Sequence, residues 1–82
     1  NAEFSVSPNP NNGLFNVNVT SKVAATYTMS VRNMLGQVVY NDNLSVSGSK
    51  TQALDLTNVE KGIYFVTLEN GSERLVKKVI VK

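Results

Sequence analysis

The groups that could do chemistry in this 82-residue chain are six carboxylates, eight Lys and Arg side chains and three tyrosines; histidine and cysteine are absent. Their absence removes the usual general base, the thiol nucleophile and most transition-metal ligands. Its serines therefore have no Ser-His partner. Glu3, Asp42, Asp55, Glu60, Glu69 and Glu73 are scattered singly over turns and strand ends. A glycosidase-like pair would need two of them facing each other across a cleft. Asn41-Asp42-Asn43 and Asp55 supply oxygens but no calcium-loop spacing, and Asx residues populate turns for reasons of their own. Asn18, Asn43 and Asn70 each open an Asn-x-Ser/Thr match, which chance explains in a chain so rich in those residues. No catalytic, cofactor or metal residue emerges, so a non-enzyme is expected.

Charge narrows the partners. A net charge of +2 is too weak to argue for nucleic acid or an anionic membrane surface. Its distribution says more, because Arg74, Lys77, Lys78 and Lys82 put half of the eight cations at the chain's end. Such a cluster reads either as a basic docking tail or as an edge strand whose lysines discourage aggregation. Without cysteine there are no disulfides, and the compartment stays open. No apolar run approaches the roughly 18 residues that span a bilayer. Asn1-Ala2-Glu3-Phe4 is not a signal peptide and does not begin with Met. The expectation is a piece of a longer protein, with any export signal upstream.

The elements that must position these groups read as strands. Ser7-Pro8-Asn9-Pro10-Asn11-Asn12-Gly13 breaks any helix or central strand. Phe15, Val17 and Val19 then alternate with polar residues, as do Tyr27, Met29 and Val31, giving the period of half-buried strands. Asn33–Gly36 reads as a tight turn, Gln37–Leu44 as a strand, and Ser45–Lys50 as a polar loop. Thr51–Leu56 is a further strand, Thr57–Gly62 a corner with room for one helical turn, and Ile63–Glu69 a dense apolar strand. Asn70-Gly71 signals a type I′ hairpin, leading into Glu73–Lys82. With Glu3–Ser7 this makes seven strands and no helix. An immunoglobulin-like antiparallel sandwich of two sheets without a disulfide is expected; a meander closing into a small barrel fits the same pattern. The six aromatics all fall on strands and are assigned to the core.

The order of the punctuation carries a resemblance. Ser7-Pro8-Asn9-Pro10 with Gly13 resembles the opening motif of the type A sorting domains of the bacterial type IX secretion system. Met34-Leu35-Gly36-Gln37-Val38-Val39 is similar to that family's central hairpin. Leu54-Asp55-Leu56, then Lys61-Gly62-Ile63-Tyr64, resembles its next two segments. Lys77-Lys78-Val79-Ile80-Val81-Lys82 resembles its terminal strand. Asn58-Val59-Glu60-Lys61 departs from the small or proline-containing corner common in the family. The resemblance implies one C-terminal signal domain over residues 1–82, carried by a cargo protein of Bacteroidota through the periplasm and outer membrane. Its partners would be an outer-membrane translocon, a shuttle protein and a surface sortase. No nucleic acid, small-molecule substrate or cofactor is implied. An accessory carbohydrate-binding or fibronectin-like module of an extracellular enzyme is the competing expectation.

A physical mechanism follows from the last strand. Val76, Val79, Ile80 and Val81 fall two on each face, and burying each is worth roughly 1.5–3 kcal/mol. Their sum approaches the about 4–12 kcal/mol expected for a chain this size. Recognition is expected at the strand's exposed edge or outer face together with Lys77, Lys78 and Lys82.

Overall fold

The computed structural model describes residues 2–71 and 73–82; Asn1 and Ser72, which ends the third Asn-x-Ser match, lie outside the described residues. Among the described residues every regular element is a strand: β1 (Ala2–Ser7), β2 (Leu14–Arg32), β3 (Val38–Asp55), β4 (Gly62–Glu69) and β5 (Arg74–Val81). All pairings between them are antiparallel, in the order β1-β2-β4-β5, with β3 also paired to β2.

β2 accommodates three neighbours because it bends. Its residues 16–21 pair with β1 on one side, and its residues 14–21 with residues 48–55 of β3 on the other. Its second half pairs with residues 38–46 of β3 and with β4. The bend falls where the register shifts between Ser21 and Ala25. Ser21 is buried there, and its hydroxyl donates to the Val23 carbonyl at 2.7 Å. Opposite it, Gly48 takes a φ of +85°. An irregular step of this kind sharpens the local twist, so the sheet curls into a half-barrel. Its concave face closes on one core in which Val17, Met29, Val31, Val66, Leu68 and Val79 have no exposure.

The all-β antiparallel expectation holds, but the count of seven strands in two sheets does not. Two pairs of expected strands are the halves of β2 and β3, the latter joined through Ser45–Lys50, expected to be a loop. Most of Ser45–Lys50 stays paired, because ladder hydrogen bonds use backbone groups and are indifferent to polar side chains facing water, and because Val46 within it is buried in the core. The result is one continuous sheet, three segments wide on one side of the bend and four on the other.

The turns divide in the same way. Gly36 has a φ of +85° and donates its amide to the Asn33 carbonyl at 3.0 Å, as the expected tight turn requires. The type I′ turn at Asn70-Gly71 is not found, since neither residue has a positive φ. Asn70 instead donates its amide to the Glu73 carbonyl at 3.0 Å, and its side-chain oxygen accepts the Glu73 amide at 2.9 Å. Residues 57–62 form a corner without a helical turn, in which Val59 donates to the Leu56 carbonyl at 3.2 Å.

Candidate functional site

Among the described residues β5 lies at the margin of the sheet, with β4 as its one ladder partner. Alternation sends Leu75, Lys77, Val79 and Val81 to the concave face and Arg74, Val76, Lys78, Ile80 and Lys82 to the convex one. Val79 and Val81 are buried, Leu75 and Ile80 are half-buried, and Val76 is 48% exposed. The four aliphatics therefore do not share the load as the sequence suggested. The lysines separate too. Lys78 and Lys82 stand on the convex face, whereas Lys77 lines a groove of about 560 Å³ against β1, with Ala2, Phe4 and Leu75.

The outer edge of β5 is closed over its last residues by the loop between β1 and β2. Asn9 donates its side-chain amide to the Lys78 carbonyl and accepts the Ile80 amide on its side-chain oxygen, both at 3.0 Å. Asn11 donates its backbone amide to the Ile80 carbonyl at 3.0 Å and accepts the Lys82 amide at 2.7 Å. These bonds make Asn11 a parallel bridge partner of Val81. Asn11 is itself buried and built in by its side chain, which donates to the Pro8 carbonyl and accepts the Gly13 amide, both at 2.8 Å. The Ser7-Pro8 and Asn9-Pro10 peptide bonds are both cis. This loop is thus a connector that also caps the terminal strand; among the described residues the outer edge of residues 74–77 has no backbone ladder partner and faces the groove against β1.

The remaining motif residues converge on the same end of the molecule. Gly13 has a φ of +108°, and its carbonyl accepts the Leu56 amide at 2.7 Å. A Cβ there would lie 2.9 Å from backbone atoms of Leu56 and Thr57. Leu54 and Leu56 are buried. Asp55 between them accepts the Thr57 hydroxyl at 2.7 Å and the Thr57 amide at 3.0 Å, and these bonds hold its carboxyl below the ordinary value of 3.8. Gly62 pairs with Val81, and the buried Tyr64 donates its hydroxyl to the Glu60 carbonyl. Gly36 sits in the adjacent hairpin, whose Met34 and Leu35 share a groove with residues 58–64. Ala2, at the other end, donates its amide to Glu73 at 3.4 Å, so the chain's start and Lys82 occupy opposite poles.

Asn11 and Asn33 were not singled out as site residues in the sequence. Asn33 holds its hairpin by accepting the Leu35 and Gln37 amides on its side chain, at 2.9 and 3.0 Å. Asn followed two residues later by an orphan amide was the available signal. Of the aromatics, Phe4, Phe15, Tyr27 and Tyr64 are buried as expected, while Tyr40 and Phe65 are only partly covered.

Comparison with known proteins returns one family, described as the secretion system C-terminal sorting domain, whose model matches residues 5–82. No curated protein matches the chain. The motifs that knit this pole together span nearly the same residues as the family match, and the chain belongs to the type IX secretion system C-terminal sorting domains.

Proposed function

We propose that residues 1–82 act as one folded signal that sends an upstream cargo protein across the outer membrane to the cell surface or beyond. Family membership supports the sorting role. In this reading the translocon and its shuttle protein bind the terminal strand, Lys77, Lys78, Val79, Ile80, Val81 and Lys82, and a surface sortase then removes the domain.

The observation that carries the reading is the cap on β5. Four hydrogen bonds from Asn9 and Asn11 tie residues 78–82 to the start of the chain. Burial of Val79 and Val81 adds roughly 1.5–3 kcal/mol each, against about 4–12 kcal/mol for the whole fold. Terminal sequence and fold are therefore lost together. Because the edge of residues 78–82 is occupied, backbone pairing with a partner is confined to residues 74–77. Contacts further along fall to side chains, chiefly Lys78 and Lys82. Cargo would join at the Ala2 pole, leaving the motif-bearing pole leading.

The test is a fusion of residues 1–82 to a fluorescent passenger carrying a periplasmic export signal, in a host with the type IX apparatus. Passenger is expected at the surface or in the medium, smaller by the domain's 8.9 kDa where a sortase acts. Passenger that stays in the periplasm would overturn the proposal.

A further inference from the structure

The convex face of β2, β4 and β5 carries a pattern that folding does not require. Register places Arg32, Phe65 and Lys78 in one cross-strand row. Ile63 and Ile80 form the row toward the motif-bearing pole, with Lys82 two residues beyond Ile80 on the same face. In the other direction come Ser30, Thr67 and Val76, then Thr28, Glu69 and Arg74. Half of the chain's eight cations thus share this face. Its one carboxylate in these rows, Glu69, lies 3.8 Å from Arg74. Arg32 folds back to donate to the Ser30 hydroxyl at 3.4 Å. Among the described residues no carboxylate lies within ion-pair distance of Arg32, Lys78 or Lys82.

Apolar side chains lie among these cations, beside Ser30 and Thr67, which are buried. Phe65, Ile63 and Ile80 are half-buried and Val76 is 48% exposed. A sheet face turned to water ordinarily alternates to polar residues. An aromatic and aliphatic centre with arginine and lysine around it is instead the composition of a protein interface. Insertion into lipid needs apolar side chains that enter the acyl region, whereas these lie within the sheet surface. Unpaired positive charge sets the sign of the complement.

We infer that this face docks a protein surface that presents carboxylates around an apolar centre. The inference rests on the sorting-signal reading and names the partner's chemistry; it adds Arg32 and Phe65 to Lys78 and Lys82, and it leaves Lys77 out. The test uses the passenger fusion with Arg32→Glu and Lys78→Glu together. The control is Lys22→Glu with Lys50→Glu, the same charge change on residues outside these rows. Export by the first pair is expected to fall at least about tenfold, with an unchanged thermal midpoint, while the control exports normally. If charge reversal unfolds the domain, Arg32→Gln with Lys78→Gln gives the same reading of export. Normal export by the folded face variant, or an equal fall in the control, would overturn the inference. Sedimentation of the 82-residue chain with phosphatidylglycerol vesicles, abolished by the face reversals alone, would assign the face to lipid and overturn the protein partner. Retention of the unmutated fusion would remove the sorting reading and this inference with it.

Discussion

The side chain of Asn9 stands where a neighbouring strand would, donating to the Lys78 carbonyl and accepting the Ile80 amide, each at 3.0 Å. One residue near the start of the chain thereby closes the edge on which the chain finishes. An open edge of that kind is a template for unwanted pairing. Asn9→Ala should expose it at a cost of roughly 1–3 kcal/mol for two net hydrogen bonds. Amide exchange at Ile80 should accelerate far more than at Val66 in the sheet interior. Unchanged protection at Ile80 would show that the cap does not hold in solution.

Glycine at position 13 answers two demands, a φ of +108° and a Cβ position 2.9 Å from the Leu56 and Thr57 backbone. Gly36 answers only the first, with a φ of +85° and nothing within 4 Å. Gly36→Ala should cost about 1–2 kcal/mol, the ordinary left-handed penalty. Gly13→Ala adds overpacking of about 1–3 kcal/mol and should leave a large unfolded fraction. Chemical denaturation separates the two, and equal losses would contradict the close packing at Gly13.

Burial within the last strand is uneven, so its valines should not be equivalent. Val79 has no exposure, and Val79→Ala should cost about 1.5–3 kcal/mol. Val76 is 48% exposed, and Val76→Ala should fall within about 0.5 kcal/mol of the parent. Thermal midpoints measured on both variants check this ranking.

Asp55 gives the corner a pH dependence. Its carboxyl is held below its unfolded value by the Thr57 hydroxyl and then by the Thr57 amide. The ionised form is therefore the one favoured by folding. Its contribution is fully present above the ordinary value of 3.8 and is lost as pH falls through the depressed folded value. Stability of Asp55→Asn, followed by denaturation from pH 6 down to about pH 2, should fall less steeply than that of the parent.

Much of the architecture was legible because it depends on alternation and turn chemistry. Phe15, Val17 and Val19, then Tyr27, Met29 and Val31, announce the concave face two residues at a time. Continuity of the long hairpin was not legible, since Ser45–Lys50 is mostly polar and its one buried apolar side chain, Val46, is too isolated to announce a strand. The Pro8–Gly13 loop reads as a breaker, which it is. That its asparagines cap a strand about 70 residues away depends on the closed fold, and no local pattern encodes a partner at that distance. Nor could composition reveal that Lys77 and Lys78 part to opposite faces until alternation was anchored by the burial of Val79. Asn70-Gly71 misled for a different reason: Asn70 closes its turn with its side chain, without a positive φ at either residue.

The decisive measurement is export of a passenger whose sorting domain lacks residues 77–82, compared with the intact fusion in the same host. Without Val79, Val81 and the edge that Asn9 and Asn11 cap, the domain should lose its β-sheet signature and the passenger should stay inside the cell. Export at the intact level would contradict a signal that is read only while folded.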